Sequence, residues 1–367
     1  MLNARTDVVG SLLRPPALLE AQKRLQAGEI ATPEFKRIED AAVDEALHLQ
    51  EDAGLDVVTD GEMRRLSFQS QLPAAVDGFG DWDLDAFLWG EWRSDELGDM
   101  SVERPPLAVR GKLHRKRFLS AEELAYARGR TGRMLKVTLP SPSLFANFWN
   151  PDEPPEAYAT LEDYLGDVAE ILSDEVEELV RLGAEYIQLD APHYPLLLDP
   201  GYRDFYESRG WPADRWLDLG LELDNLVIGD HPGVTFGMHL CRGNQASRWL
   251  VSGGYDWIAG RLFPRVKADR ILLEYDDERS GSFEPLREVP EDKVVVLGLV
   301  TTKSGRRETV EELAARVREA AQFLPLERLA ISPQCGFATS VLGNALTLED
   351  ERAKLETLAR TAAAVWS

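Results

Sequence analysis

Short runs of apolar, β-branched residues recur along the whole chain, each bounded by turn-forming residues and separated from the next by segments with helical spacing. Eight of them predict strands: Asp7–Ser11 (DVVGS), Asp56–Glu62 (DVVTDGE), Leu135–Pro140 (LKVTLP), Tyr186–Asp190 (YIQLD), Val234–His239 (VTFGMH), Ile271–Tyr275 (ILLEY), Val294–Val300 (VVVLGLV) and Leu329–Ser332 (LAIS). Continuous apolar runs of this kind suit strands buried on both faces of a parallel sheet. Between them, the periodicity predicts helices over Pro33–Ala53, Leu161–Leu182, Asp214–Leu226, Thr309–Phe323 and Leu348–Val365. Thr160-Leu161-Glu162-Asp163 reads as a capped helix start, and Gly183 as the stop of the same helix.

Eight strands alternating with helices predict an α/β protein with a (β/α)8 TIM barrel, a single catalytic barrel over residues 1–367. A doubly wound open sheet is the competing arrangement. The stretch 81–133 interrupts the alternation. It places Trp82, Trp89 and Trp92 among acidic residues ahead of a basic run, Arg110–Arg117, and reads as an acidic, Trp-rich insertion. A lid, an interface and a peripheral subdomain packed on the barrel are its three readings.

Charge narrows the range of partners. The formal net charge of −23 repels nucleic-acid phosphates and anionic lipid over most of the surface, so neither nucleic acid nor membrane is expected as a partner. Val294–Val300, the longest apolar stretch, is far shorter than the roughly 18–20 residues that cross a bilayer. The N-terminal MLNARTDVVGSLLRPP has no long apolar core of a secretory signal, and the expected location is cytoplasmic. Two cysteines, Cys241 and Cys335, do not make a disulfide framework.

In a barrel of this type the reactive groups stand at the C-terminal ends of the strands. The fifth run ends in Met238-His239-Leu240-Cys241, where residues two apart in an extended segment face the same way. The sixth carries Glu274, and the eighth leads into Ser332-Pro333-Gln334-Cys335-Gly336. One nitrogen, two sulfurs and a carboxylate suit Zn2+, whereas soft thiolates argue against magnesium or calcium. Each residue alone has an ordinary explanation, as a buried apolar cysteine or a satisfied core histidine. Both cysteines falling at inferred strand ends favours a shared metal site.

At these positions the chain resembles the cobalamin-independent methionine synthases, in particular their catalytic C-terminal barrel and its stand-alone relatives. The resemblance covers nearly the full length. It rests on Val9-Gly10-Ser11 with Arg14-Pro15, Asp60-Gly61-Glu62, Ile187-Gln188-Leu189-Asp190, His239-x-Cys241, Glu274 and Pro333-Gln334-Cys335-Gly336. It implies a catalytic zinc held by His239, Cys241, Glu274 and Cys335, with the substrate thiol bound as thiolate. It also implies an amino-acid site for homocysteine built from Gly10, Ser11, Glu62 and Asp190, and transfer of a methyl group from a 5-methyltetrahydrofolate-type donor to form methionine. Four protein ligands resemble a closed site, so Glu274 is expected to yield to the incoming sulfur.

Two segments depart from the family pattern. Where methionine synthases carry a histidine in an Asp-x-His-Ser setting, this chain reads Thr301-Thr302-Lys303-Ser304, so Lys303 stands near the proton-donor position, with His193 as an alternative. After the third run, Phe148 and Trp149 are the aromatics available to stack on a pterin, and Trp149 is assigned to that site. These departures admit a related reaction, alkyl transfer to another thiol as in epoxyalkane:coenzyme M transferases, with Lys303 and Arg242 serving an anionic thiol. Glu62 and Asp190 argue for an ammonium instead. A metal-free decarboxylase of the uroporphyrinogen decarboxylase type and a non-enzymatic metal-binding barrel are the readings from other classes. A homo-oligomer is compatible with the sequence.

Overall fold

The computed structural model describes residues 2–80, 90–102, 109–150, 154–208 and 210–366. Eleven strands occur among them: β1 (Val57–Val58), β2 (Val76–Phe79), β3 (Gly90–Trp92), β4 (Met100–Val102), β5 (Val109–Arg115), β6 (Met134–Pro140), β7 (Tyr186–Asp190), β8 (Thr235–Leu240), β9 (Arg270–Glu274), β10 (Val294–Val300) and β11 (Leu329–Pro333). Seven form one parallel sheet in the order β1-β6-β7-β8-β9-β10-β11, so neighbours in the sheet are neighbours in the alternating pattern. The register sets the strand ends level, with Pro140 opposite Asp190, Asp190 opposite His239, and Gly298 opposite Glu274.

The sheet curls, and its two edges meet on the N-terminal segment. Thr6 bridges Ile331 in parallel, with Asp7 N donating to Ile331 O and Ile331 N to Arg5 O, each at 2.9 Å. On the other side the Asp56 carboxylate accepts the backbone N–H groups of Arg5 and Thr6 at 2.8 and 2.9 Å. The result is a mixed α/β fold of TIM-like form. The first predicted strand is therefore reduced to one bridge, because a side chain takes the place of a backbone ladder between it and β1. The second is cut to two residues by the turn that follows, where Gly61 and Glu62 both take positive φ, 72° and 55°.

The later strands and the long helices lie close to their predicted bounds. Leu161–Arg181, Val310–Ala320 and Leu348–Val365 each begin with a capping box, from Thr160, Thr309 and Thr347 respectively. In the first of these, Leu161, Leu165, Val168, Leu172, Val176 and Leu179 recur at helical spacing and are all buried. Helices at Pro16–Gln26, Leu119–Ala127, Pro200–Ser208 and Asp256–Leu262 escape the periodicity reading, being short or weakly patterned. Among the described residues, no helix is long and apolar enough to cross a membrane.

Inside the curl lies a set of charges that the apolar strand runs conceal. Lys136 of β6 is wholly buried and donates to Asp7 Oδ1 at 2.8 Å and Gln188 Oε1 at 2.6 Å. Tyr186 OH donates to Asp7 Oδ2 at 2.9 Å, and Arg270 Nε lies 3.4 Å from the same oxygen. Buried charges persist only when paired in this way. Within 81–133, Trp82 and Trp89 lie outside the described residues. Trp92 is buried, and an antiparallel bridge from Arg93 to Trp249 fastens its strand to the loop after β8.

Candidate metal centre and substrate cavity

His239 and Cys241 sit on and just beyond the end of β8, and Cys335 follows β11. The tertiary structure brings all three together: their donor atoms lie within 4.8 Å of one another, and all three residues are buried. The two sulfurs are 3.3 Å apart, and neither cysteine is in a disulfide. Gly243 N donates to Cys241 Sγ at 3.2 Å, which the positive φ of Gly243 (94°) allows. The contact with Cys335, and then burial, push the Cys241 thiol well above the usual range. Two adjacent buried sulfurs cannot both ionise unless a cation sits between them. Sulfur, sulfur and imidazole are a donor set that fits zinc.

Asp190, at the end of β7, fixes the imidazole. Its Oδ1 lies 3.0 Å from His239 Nδ1, and it also accepts from Gln188 Nε2 at 2.9 Å. A carboxylate on Nδ1 holds the proton there and leaves the Nε2 lone pair to a metal. Burial pulls His239 down, but the hydrogen bond to Asp190 and the charge of Cys241 outweigh it and raise the imidazole above its ordinary value. The sequence reading places Asp190 with the substrate; the structure also puts it directly behind a metal-ligand candidate.

Glu274 is not in the group of three. Its Oε1 accepts from Lys303 Nζ at 2.9 Å, and its Oε2 from Arg242 N at 3.0 Å. Burial alone would raise the Glu274 carboxyl, but Lys303 and Arg242 hold it below the usual range. Lys303 shifts away from the range of a proton donor at neutral pH: burial lowers it, and Asp276 and Glu274 more than reverse that. The Arg242 guanidinium is occupied too, donating to Gly253 O, Glu274 O and Tyr255 OH.

A cavity opens beside the three ligand candidates, with Ser11, Glu62, Asp190 and His193 in its wall. Glu62 Oε1 accepts from Thr138 Oγ1 at 2.7 Å and lies 3.6 Å from Arg65 Nη1, while its Oε2 is buried with no hydrogen-bond partner. Burial, with the nearby charge of Asp190, raises the Glu62 carboxyl above its usual range, against the pull of Arg65. Arg14 secures the left-handed turn that presents Glu62, donating to Glu62 O and Arg65 O at 3.0 Å each. Close packing explains two glycines: a Cβ on Gly10 would meet Glu62 Oε1 at 2.5 Å, and one on Gly336 would meet Ser11 Oγ at 2.0 Å.

His193 is buried, with Ser143 Oγ 2.7 Å from its Nε2 and no partner at Nδ1. Burial pulls it down to about 3, so it is a neutral imidazole at the cavity wall. Trp149 is elsewhere: it is buried, stacks on Tyr164 at 6.0 Å, and does not line the cavity. The aromatics that do line it are Phe68 and Trp92, with Asn147 and Asn244 as neutral polar groups. Trp92 belongs to a segment whose docking the local pattern does not encode. Asn147, two residues before Trp149 on a turn of 3-10 helix, is the polar residue of this segment that lines the cavity.

Residues 4–348 match the model of the cobalamin-independent synthase catalytic domain, and the chain belongs to that family. It is 33% identical to the uncharacterized protein YxjH of Bacillus subtilis (strain 168), over 99% of this chain and 94% of that one. A methionine synthase of Pyrococcus abyssi is 27% identical over 90% of this chain and 85% of its own length. A solved structure from Listeria monocytogenes, assigned as a vitamin-B12-independent methionine synthase, shares the fold with a TM-score of 0.74 at 24% identity, covering 100% of this chain and 98% of that one. A B12-independent methionine synthase from Shewanella sp. W3-18-1, solved with selenomethionine, gives 0.73 at 21% identity with the same coverage. The family resemblance carried by the motifs is thus shown, and with it a methyltransferase-type enzyme acting on small molecules.

Proposed function

We propose that this protein transfers a methyl group from a methyl-folate-type donor to the thiol of homocysteine, in a cytoplasmic (β/α)8 barrel, at a zinc ion held by His239, Cys241 and Cys335. The observation that carries the reading is the buried His-Cys-Cys cluster, backed by Asp190 and opening on the cavity that also presents Glu62. Zinc bound there lowers the pKa of an incoming thiol and so supplies a thiolate at neutral pH.

The chain's own groups then position the acceptor. Glu62, with one unpartnered oxygen, receives the ammonium of the amino acid. Ser11, against which Gly336 packs, shapes the carboxylate end together with the Gly10 backbone. Asp190 holds His239 in place and adds negative charge on the ammonium side of the cavity. His193, neutral and open at Nδ1, hydrogen-bonds the second substrate rather than carrying a proton to it.

An acidic or sulfonate thiol is a poorer fit. Arg242 and Lys303, the cations such a thiol would need, do not line the cavity and are already bound to protein groups. Zinc K-edge X-ray absorption before and after homocysteine is added tests the reading. A gain of one sulfur in the zinc shell is expected. A zinc shell that does not change would exclude homocysteine as the metal-bound acceptor, and a protein that takes up no zinc would remove the mechanism.

A further inference from the structure

Behind the cavity wall a row of buried polar groups runs from His193 to the helix Ala213–Ile228. His193 lines the cavity with Nδ1 unpartnered, and its Nε2 lies 2.7 Å from Ser143 Oγ. Ser143 Oγ is 3.3 Å from Ser141 Oγ, and Ser141 donates to Asp224 Oδ1 at 2.7 Å. Tyr194 OH donates to the other carboxylate oxygen. All five side chains are buried. Gly220, one turn before Asp224, leaves the room they need: a Cβ there would meet Tyr194 OH at 2.4 Å and Ser143 Oγ at 3.0 Å. Activation of a thiol at the metal gives Asp224 and the two serines no task.

Each hydroxyl has a single hydrogen to give, so the row has a direction. An ionised Asp224 only accepts, and Ser141 and Tyr194 both point at it. The contact between the serines is then a hydrogen bond only if the Ser143 hydrogen lies in it, which leaves Ser143 to accept from His193 Nε2. The ring hydrogen sits on Nε2, and Nδ1 turns a lone pair to the cavity. A protonated Asp224 donates to Ser141 instead. The Ser141 hydrogen turns to Ser143, the Ser143 hydrogen to Nε2, and Nδ1 presents an N–H.

We infer that Asp224, acting through Ser141 and Ser143 as positioning residues, decides which nitrogen of His193 carries the hydrogen, and so whether the cavity offers a second substrate a donor or an acceptor at Nδ1. The bearing on a second substrate rests on the function proposed above and deepens it; the tautomer itself does not depend on it. Burial pulls the His193 imidazole down to about 3, so the ring is neutral in both states. Burial also pushes the Asp224 carboxyl up to about 7, with Ser141 and Tyr194 drawing it back and no charged side chain among the groups that act on it. The exchange therefore falls near neutral pH, with Nδ1 a donor below it and an acceptor above. A substrate that presents an N–H or O–H at this wall is favoured on the alkaline side, and one that presents a carbonyl or ring nitrogen on the acid side.

The test is nuclear magnetic resonance of the full-length protein labelled with 15N in its five histidines, whose long-range 1H–15N spectra distinguish the two tautomers and the imidazolium. The His193 signals are those lost in His193→Gln. In the wild type the ring hydrogen is expected to move from Nδ1 to Nε2 with a midpoint near pH 7, and no imidazolium is expected across roughly pH 5 to 9. Asp224→Asn should abolish the movement, and so should Ser143→Ala, which cuts the row and leaves Asp224 in place. Should Asp224→Asn not fold, Ser143→Ala decides by the same criterion. A wild-type tautomer that is constant with pH overturns the inference, as does a ring that charges in this range or a movement that survives either substitution. Neither metal nor homocysteine enters the measurement, so a protein that took up no zinc would remove the proposed function and leave this result standing.

Discussion

Asp190 Oδ1 stands 3.0 Å from His239 Nδ1, and the same oxygen accepts a hydrogen bond from Gln188, whose own Oε1 is held by the buried Lys136. The imidazole at the mouth of the sheet is thereby tied through two side chains to the ion pair in its interior. Each link fixes the rotamer of the next, so the orientation of His239 is set by charges well below it.

Removing the first link should be felt at the metal. Asp190→Ala is expected to weaken zinc by about 10–100-fold while the fold persists, since outer-shell partners of a ligating histidine have effects of that size. Chelator competition with purified protein, alongside circular dichroism, measures it. Unchanged affinity would mean that Asp190 does not orient the histidine.

Removing the last link should be felt in stability. Lys136→Met leaves Asp7 buried and short of its principal partner, and breaking a buried ion pair typically costs about 3–5 kcal/mol. Urea denaturation followed by fluorescence gives the number. A cost below about 1 kcal/mol would show that Tyr186 and Arg270 suffice to hold Asp7.

The wall of the cavity offers a steric test. Gly336→Ala puts a methyl group 2.0 Å from Ser11 Oγ, and the backbone nitrogen of Ser11 stands only 3.2 Å away. Overpacking of this kind costs about 1–3 kcal/mol of stability, and the displaced Ser11 should raise the KM for homocysteine more than it lowers kcat. Normal kinetics with normal stability would remove Ser11 from the acceptor site.

A pH dependence follows from Asp224, which burial pushes up to about 7 while it accepts hydrogen bonds from Ser141 and Tyr194. Unfolded, the carboxyl titrates near 3.9. The folded state therefore holds the extra proton between about pH 4 and pH 7, and stability present below that window is lost as pH rises through it. His193 works in the opposite sense: burial pulls it down to about 3, so its contribution is present above about pH 6.5 and lost as pH falls toward 3. Asp224→Asn should gain on wild type as pH is raised from about 5 to about 8 in urea unfolding, and a constant difference would contradict the raised value.

What the sequence determined is the alternation and the motifs that end its strands. Tyr186–Asp190 and Val294–Val300 match their predicted bounds, because strands buried on both faces are apolar throughout and so are visible locally. His239, Cys241 and Cys335 were legible as metal-ligand candidates for a related reason: level strand ends in a parallel sheet turn sequence position into spatial position. The family membership rested on the same motifs.

Only the tertiary structure decided which groups face each other. Glu274 belongs to the expected ligand set by sequence, but Lys303 from the loop after the next strand pairs with it across 29 residues, a pairing that no local pattern expresses. Trp149, which the sequence assigns to a pterin, packs on Tyr164, whereas Trp92 lines the cavity from a strand pinned to Trp249. Hydrophobic periodicity reports which face of an element is buried. It carries no information about which buried partner a polar side chain will find, because that depends on hydrogen bonds and charges brought together only when the sheet curls.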